Sequence, residues 1–392
     1  MIKVSHTAPL RIVAAGYIVG GPLGGLVWHH LQYILGLKKM KHEVIFLEDS
    51  NDYPSCYNPT THMLSNDPTY GVQFIRQIFS QFDLQDSWAY YHAYTGNWYG
   101  MSEKAVKNFC NTADVFLNLS GVNPMRKFLQ KIPLRVFVDT DPVFTQIRHL
   151  TDQSAIELAR KHNCFFSFGE NFGESACTIP DDNLPWKPTR QPVVPEVWRM
   201  VAGDQNAKWT TVMQWDSYKT REYNGKIYGM KSSSFDPYLE LPQSIDELFE
   251  IAMGSITAPK SKLSSLGWII EDPLAITKSP ETYQQYIRSS KGEWSIAKHG
   301  YVITNSGWFS ERSCCYLASG RPVVVQDTGF SSFIETGIGL FCFSDAEGIG
   351  AAIHEVNRNY QKHCKNARDV VEAYFGYQRV LDSLLEEAFV SV

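Results

Sequence analysis

The sequence lacks a cysteine framework, an excess of basic charge and a long apolar run, and each absence excludes a class of protein. Its eight cysteines are scattered, with no Cys-x-x-Cys pair and no zinc-ligand spacing. This disfavours a disulfide scaffold or a structural zinc site and predicts reduced thiols. The adjacent Cys314 and Cys315 are interpreted as small apolar residues on one helix. The net charge of −5 over 392 residues argues against a surface that coats nucleic acid, so we expect no nucleic-acid partner.

Targeting and membrane signals are missing from the N-terminal region as well. Only Lys3 precedes a weakly apolar stretch, so we predict no signal peptide. Residues 11–37 are apolar-rich, but His29, His30 and two Gly-Gly pairs interrupt them, so we predict no transmembrane segment. A chain with 44% hydrophobic and 20% charged residues has the composition of a globular protein. We therefore expect a cytoplasmic location.

Short apolar runs alternate with segments of helical spacing along the chain. Residues 11–19 form a β run that ends in a glycine turn, an apolar-faced helix follows, and residues 42–49 form a second β run. Strand, turn, helix and strand make a βαβ unit, and its repetition predicts a parallel sheet buried on both faces. The proline-rich residues 178–208 predict a crossover, after which a second set begins.

The chain therefore divides into two α/β halves that join near residue 195. We predict a Rossmann-like domain over residues 1–195 and a second over residues 196–375. The second set is interpreted as strands over 210–217, 266–273, 294–304 and 337–345, with a helix entering a turn over 245–255.

Residues 305–330 carry the strongest functional signal. A helix begins at Ser310–Ser313, where backbone N–H groups are unpaired and the helix dipole is positive. Arg312 adds a guanidinium that can bind an anion, and Lys298 is placed on the preceding strand. A second strand-end loop follows, so we predict a cradle for a diphosphate, with ordinary helix caps as the alternative. The predicted donor-binding residues are Lys298, Ser306, Gly307, Ser310, Glu311, Arg312, Ser313, Asp327, Thr328 and Gly329.

The acceptor side is predicted at strand ends of the first half. A glycine-rich turn after a strand leaves backbone N–H groups free for a ligand, or else is only a tight turn. Strand-end carboxylates and helix histidines can act as bases, or can cap a helix and pack. The predicted first-loop residues are Gly20, Gly21, Gly24 and Gly25. The catalytic candidates are His29, His30, Asp139 and Asp141. Two more polar side chains, Gln146 and Arg148, are expected to extend into the same cleft.

The stretch SGWFSERSCCYLASGRPVVVQDTGFSSFI, residues 306–334, resembles the donor-binding core of GT-B glycosyltransferases of the family 4 and family 1-like group. In particular, LASGRPVVVQDTGF is similar to the EAMAxGxPVVAxxxGG region of the retaining members. The resemblance implies two facing Rossmann-like domains with parallel sheets, and a C-terminal helix over residues 376–392 that crosses back to the first domain. It also implies a nucleotide-diphosphate sugar, most simply a UDP-sugar, as co-substrate, with no metal and no other cofactor.

The resemblance is incomplete at one functional position. The retaining families have two glutamates separated by seven residues, whereas here the residue eight positions beyond Glu311 is Ser319. Retention and inversion therefore both stay open, with His29, His30 or Asp141 as the base for inversion.

We predict a metal-independent glycosyltransferase with a small-molecule or glycan acceptor. Two alternatives stay open: a nucleotide-sugar 2-epimerase and a non-catalytic sugar-nucleotide-binding protein. A transferase acting on bases in DNA is disfavoured by the acidic charge balance.

Overall fold

The computed structural model describes residues 8–52 and 54–391; the sequence features around Lys3 lie outside them. The first part of the chain forms ten strands and five helices. These are β1 (Arg11–Ala15), α1 (Gly24–Lys39), β2 (Glu43–Asp49), β3 (Cys56–Asn58), β4 (Met63–Ser65), α2 (Thr69–Gln81), β5 (Trp88–His92), β6 (Asn97–Gly100), α3 (Glu103–Cys110), β7 (Val115–Leu119), β8 (Leu134–Asp139), α4 (Phe144–Thr151), α5 (Gln153–Ala159), β9 (Cys164–Ser167) and β10 (Lys187–Pro188).

Eight of these strands form one sheet, in the order β10-β9-β8-β7-β1-β2-β5-β6. All neighbours are parallel except β5 and β6, which form an antiparallel edge. The central strands are apolar because helices cover both faces, and β1 and β7 are buried along nearly their whole length. The strand order reverses at β1, so the crevice at its carboxyl end is where a ligand of such a sheet binds.

The second part of the chain forms eight strands and ten helices. These are β11 (Trp209–Gln214), β12 (Arg221–Tyr223), β13 (Lys226–Tyr228), α6 (Ser232–Phe235), α7 (Leu241–Ser244), β14 (Phe249–Gly254), α8 (Lys260–Ser265), β15 (Ile269–Glu271), α9 (Pro273–Thr277), α10 (Pro280–Ser289), β16 (Gly292–Ser295), α11 (His299–Ile303), α12 (Glu311–Ala318), β17 (Val323–Gln326), β18 (Leu340–Phe343), α13 (Ala346–Arg358), α14 (Tyr360–Val370) and α15 (Tyr377–Val390).

Six of these strands form a parallel sheet in the order β15-β14-β11-β16-β17-β18. Its order reverses between β11 and β16, which makes a second switch point. Strands β12 and β13 form a separate antiparallel hairpin. Asn224 and Gly225 turn it with positive φ angles of 50° and 72°, as a two-residue hairpin turn requires.

Two predicted elements of the second half are wrong. The helix expected over residues 245–255 is instead the fully buried strand β14, because a short apolar run has the same composition in a buried strand as in a helix. The strand expected over residues 294–304 ends at Ser295. Helix α11 then begins at His299 with Lys298 as its N-cap residue.

The C-terminal helix crosses back to the first domain, as predicted. The Val193 N–H bonds the carbonyl of Phe375 at 2.7 Å, and the Tyr377 N–H bonds the carbonyl of Val193 at 2.8 Å. Helix α15 then packs on α1, where a Cβ on Gly36 would lie 2.8 Å from Leu381. The last strand of the first sheet ends at residue 188 and the first strand of the second begins at residue 209; the division at residue 195 stays a prediction.

None of the helices within residues 8–52 and 54–391 combines the length and apolarity needed to cross a membrane. All eight cysteines are free, and Cys314 and Cys315 are both buried on α12.

Candidate active site

The two sheets direct the carboxyl ends of their strands towards a shared cavity of about 390 Å³, called the cleft here. Both switch points open into it. Its polar lining comes from both domains and includes Tyr17, His29, Thr140, Asp141, Gln214, Lys231, Tyr283, Lys298, Tyr301, Ser310, Glu311 and Arg312.

Helix α12 begins at the floor of the cleft. Ser310 caps it, since the Ser310 hydroxyl accepts a hydrogen bond from the N–H of Arg312 at 3.3 Å. Glu311 is the first helical residue and lines the cleft, where its carboxylate can accept hydrogen bonds from hydroxyl groups. The predicted helix start is therefore at the cleft, and it presents N–H groups and a positive dipole end there.

Arg312 has a different role from the free guanidinium that the sequence suggested. Its side chain donates to Glu293 at 2.5 Å, to Ser295 at 2.8 Å and to the carbonyl of Val212 at 3.0 Å. Burial disfavours its charged form, but the Glu293 carboxylate, helped by other neighbours, raises the pKa of Arg312 above its ordinary range. Arg312 thus joins β11 to β16 at the switch point, and the Glu293 carboxylate balances its charge in the cleft wall.

Lys231, which the sequence analysis missed, also lines the cleft. Its side chain is 8% exposed, and across residues 8–52 and 54–391 its ammonium group has no hydrogen bond and no ion pair. Burial and then the positive charge of Arg312 lower its pKa well below the ordinary value, although the carboxylates of Glu293 and Glu311 oppose this shift. A buried ammonium group without an ion pair is unfavourable, so this position is suited to an anionic ligand.

A detectable signal for Lys231 existed in the sequence. The Asn224-Gly225 pair indicates a hairpin whose second strand ends a few residues before Lys231. Lys231 follows this strand and precedes three serines, so a basic residue and several hydroxyl groups lie together after a strand, as they do at the helix start at Ser310.

Lys298 lies in the cleft and bonds across it to the first domain. Its Nζ is 2.8 Å from Asp141 and 2.9 Å from the hydroxyl of Tyr218. Tyr218 and Tyr301 also donate hydrogen bonds to Asp141. Burial and then the charge of Asp141 raise the pKa of both phenols, so they stay protonated as donors. Asp141 therefore has one cation and two phenols on its oxygens, and few lone pairs remain for proton abstraction.

Asp139 supports this arrangement from the protein interior. It is 1% exposed and accepts hydrogen bonds from the N–H of Asp141 at 2.9 Å, from Gln146 at 3.0 Å and from Ser167 at 2.8 Å. Gln146 also accepts the N–H of Val143 at 2.6 Å. Val143 has a φ of +74°, which is strained for a β-branched residue. Asp139 thus holds a strained turn that presents Asp141, and the structure does not bring Asp139 itself to the cleft.

The two histidines of α1 differ in the way that their ring nitrogens are used. His30 is fully buried, with Nδ1 2.7 Å from the carbonyl of Leu26 and Nε2 3.2 Å from the N–H of Tyr17. Burial and then the neighbouring His29 lower its pKa well below the ordinary value. Both nitrogens are occupied, so His30 joins β1 to α1 and is not available as a base.

His29 lines the cleft and has one unoccupied nitrogen. Its Nδ1 is 2.6 Å from Oε1 of Gln191, whose amide nitrogen donates to two backbone carbonyls. That orientation of Gln191 makes Nδ1 the donor, so the lone pair lies on Nε2. This Nε2 is buried and has no partner in the described part of the chain. Burial is the main cause that lowers the pKa of His29, so the ring is neutral at pH 7.

In the first glycine loop, backbone N–H groups bond to a side chain of the protein. Buried Glu48 accepts the N–H groups of Ile18, Val19 and Gly20 at 2.6–2.7 Å. Of the four glycines predicted to offer backbone donors to a ligand, Gly20 therefore has its N–H already paired. A Cβ on Gly21 would lie 2.9 Å from the side chain of Leu26, so Gly21 also serves packing.

The remaining two glycines of this loop meet the second domain. A Cβ on Gly24 would lie 2.4 Å from the backbone carbonyl oxygen of Ser279, so only glycine allows this approach. Gly25 lines the cleft, and a Cβ there would make ordinary contact, at 3.5 Å, with Tyr283.

The other predicted donor residues lie outside the cleft. The N–H of Gly307 donates to the carbonyl of Thr328 at 2.7 Å, and Asn171 of the first domain donates to the carbonyls of Asn305 and Gly329 at 2.9 Å and 3.2 Å. Buried Ser306 accepts the N–H of Trp308 at 3.2 Å. These two loops dock the domains together.

Two further residues of that set also point elsewhere. Asp327 caps its own turn through the N–H of Gly329 at 2.8 Å. Ser313 is buried and borders a void of only about 10 Å³. Of the predicted set, the structure brings Lys298, Ser310, Glu311, Arg312, Gly25, His29 and Asp141 to the cleft.

Within residues 8–52 and 54–391, no group of three or more His, Cys, Asp or Glu side chains is arranged to hold a metal ion.

This architecture is the GT-B fold, and the predicted fold class is confirmed. An alpha-glucosyltransferase in complex with UDP-glucose and DNA containing an abasic site is similar over 97% of this chain and 100% of that chain, with 12% identity and a TM-score of 0.59. Sucrose-phosphate synthase from Thermosynechococcus elongatus is similar over 97% and 100%, with 10% identity and a TM-score of 0.54. Anabaena HepE in complex with UDP and glucose is similar over 98% and 100%, with 11% identity and a TM-score of 0.50.

No family model and no curated protein sequence matches the chain. At identities of 10–12% the structural likeness establishes the fold. Another similar structure is an alpha-glucosyltransferase with UDP and a 13-mer DNA. The expectation against a nucleic-acid partner, drawn from net charge, therefore has no support from these structures.

Proposed function

We propose that the protein is a glycosyltransferase that moves a sugar from a nucleoside diphosphate donor, most simply a UDP-sugar, to an acceptor. The observation that carries the proposal is buried Lys231, which forms no ion pair or side-chain hydrogen bond in the described residues and lines the cleft with Arg312 and the start of α12. A diphosphate supplies the missing negative charge. The likeness to structures solved with UDP or UDP-glucose supports this choice of ligand.

The cleft has groups that can stabilise the diphosphate leaving group of such a transfer. As the bond from the anomeric carbon to the diphosphate oxygen breaks, its electron pair goes to the diphosphate, and negative charge grows there. Lys231 and the N–H groups of α12 are positive groups at this position, and such preorganised groups stabilise developing charge. Lys298 and Arg312 lie in the same cleft, but Asp141 and Glu293 balance their charges. Glu311, at the same helix end, can accept hydrogen bonds from sugar hydroxyls.

The acceptor oxygen forms the new bond to the anomeric carbon and loses its proton. His29 is the candidate base for inversion because it lines the cleft and its Nε2 has a free lone pair. In a retaining reaction the departing diphosphate takes the proton. Metal independence stays part of this proposal, with the cationic side chains in the role that a divalent ion would have.

Calorimetry with UDP, UMP and uridine tests the donor site, since the phosphate groups supply the recognition. We expect UDP to bind, UMP to bind more weakly, and uridine to bind weakest. Equal affinity for all three, or no binding of UDP at millimolar concentration, would contradict the proposal.

Turnover is then measured with UDP-sugars and a panel of acceptors by release of UDP. Transfer predicts UDP release that depends on an acceptor. Consumption of donor without any acceptor would indicate the epimerase alternative, and tight UDP binding without turnover across the panel would indicate a binding protein.

A further inference from the structure

A second cavity, of about 360 Å³, opens beside the cleft and is called the side pocket here. It shares Tyr17, Thr140 and Asp141 with the cleft as a common wall. A molecule in the side pocket would therefore contact the same edge of the first sheet as a molecule in the cleft. Its volume is that of a small-molecule site.

Two arginines from different domains line the side pocket. Arg148 lies on α4 of the first domain, and Arg221 begins β12 in the hairpin of the second. Both side chains are exposed. In the part of the chain that the structure describes, neither guanidinium has a hydrogen bond or an ion pair.

Nearby carboxylates are already used elsewhere. Asp141 in the shared wall is bound by Lys298 at 2.8 Å. Asp152, whose charge interacts with Arg148, accepts the N–H groups of Ser154 and Ala155 as the cap of α5. The side pocket therefore has an excess of positive charge, supplied by two guanidinium groups that an anion between them would satisfy.

We propose that the side pocket binds the acceptor, and that the acceptor carries a phosphomonoester held between Arg148 and Arg221. This inference rests on the proposed transferase function. A guanidinium offers paired N–H donors that match phosphate geometry. A phosphomonoester has close to two negative charges and three free oxygens, so it can bind two guanidinium groups. A carboxylate has a single negative charge, which one guanidinium group balances. The acceptor hydroxyl then points to the shared wall, next to the donor sugar.

The test uses the full chain saturated with UDP, so that the cleft is filled and added phosphate cannot bind there. Binding of inorganic phosphate, glucose 6-phosphate and glucose is measured by calorimetry. We expect the two phosphorylated probes to bind and glucose to bind far more weakly. Arg148→Gln and Arg221→Gln should each weaken phosphate binding by about tenfold or more, the loss of a charge-assisted hydrogen bond. Both side chains are exposed, so unchanged melting temperatures are expected.

Arg76→Gln is the matched control. Arg76 is an exposed arginine on α2 that, in the described residues, makes no side-chain hydrogen bond or ion pair, and its substitution should leave phosphate affinity unchanged.

Three results would overturn the inference while leaving the donor site intact. These are UDP binding with no binding of inorganic phosphate, equal affinity for glucose and glucose 6-phosphate, and phosphate affinity that neither arginine substitution changes. Binding of a DNA duplex that both substitutions weaken, without binding of glucose 6-phosphate, would replace the small acceptor by nucleic acid. Failure of the wild-type protein to bind UDP would instead refute the proposed function, and this inference with it.

Discussion

Replacing Lys231 by methionine should change ligand affinity and protein stability in opposite directions. Methionine has nearly the length and shape of the lysine stem but no charge. Lys231 is 8% exposed and forms no ion pair and no side-chain hydrogen bond within residues 8–52 and 54–391. The substitution therefore removes an amine whose protonation burial makes unfavourable in the unliganded protein, and it removes a favourable contact from the complex.

The loss of affinity can be estimated from one charge-assisted hydrogen bond. Such bonds contribute about 1.5–3 kcal/mol, which corresponds to roughly a 10- to 150-fold increase in the Kd for UDP. A simple loss of packing would lower stability as well as affinity. Lys231→Met is expected to lower the affinity for UDP and to raise the stability of the unliganded protein.

The stability change has a sign that depends on pH. Burial lowers the pKa of Lys231, so the unfolded chain binds this proton more readily than the folded protein does. The resulting penalty on the folded state is present at neutral pH and shrinks as the pH approaches roughly 10.4, the ordinary lysine value. The melting temperature of Lys231→Met without ligand should therefore exceed that of the wild type at pH 7, and the two should converge at high pH.

Calorimetry with UDP and thermal denaturation with and without UDP measure both quantities. Lys262→Met is the control, since Lys262 is an exposed lysine on α8 and should change neither. An unchanged Kd for UDP in Lys231→Met would refute the assignment of this lysine to the diphosphate. A lower melting temperature without ligand would refute the claim that its charge is unpaired.

Three further substitutions test the surroundings of the cleft by thermal denaturation. Gly24→Ala, which forces a Cβ to within 2.4 Å of a backbone oxygen across the domain interface, should destabilise the protein by about 1–3 kcal/mol; Gly25→Ala, with 3.5 Å available, should be neutral or slightly stabilising, and equal effects would contradict this account. Arg312→Ala leaves Glu293 buried and unpaired, so a loss of about 3–5 kcal/mol is expected, and an unchanged melting temperature would show that the ion pair is unimportant. Burial raises the pKa of Glu48 to about 7, so its stabilising contribution of roughly 3 kcal/mol is full below pH 4 and lost as the pH rises through 7; Glu48→Gln should flatten the dependence of melting temperature on pH in this window, and an unchanged profile would exclude Glu48 as its source.

Local patterns in the sequence were sufficient for most of the fold. The β run over residues 11–19 and the strand that ends at Gln326 are short, apolar and followed by turns, and buried parallel strands have this character. The helix start at Ser310 was also readable, because a serine before a polar first turn is a cap signal. The strand over residues 249–254 was mistaken for a helix, since an apolar run of six residues is compatible with both.

The candidate site was predicted only in part, because residue type alone does not show which hydrogen-bonding groups are free. His29 and His30 are neighbours on one helix, yet only His29 keeps an unoccupied nitrogen, because Gln191 comes from residues 162 positions away. In the glycine loop the N–H of Gly20 is bonded to Glu48, and the guanidinium of Arg312 is bonded to Glu293.

The sequence by itself determined that parallel strands and helices alternate, because apolar periodicity and turn residues act over a few neighbouring positions. Tertiary structure decided which charges were left without partners, because an ion pair or hydrogen bond depends on groups that only folding brings within about 3 Å. Lys231 and the two arginines of the side pocket are such groups.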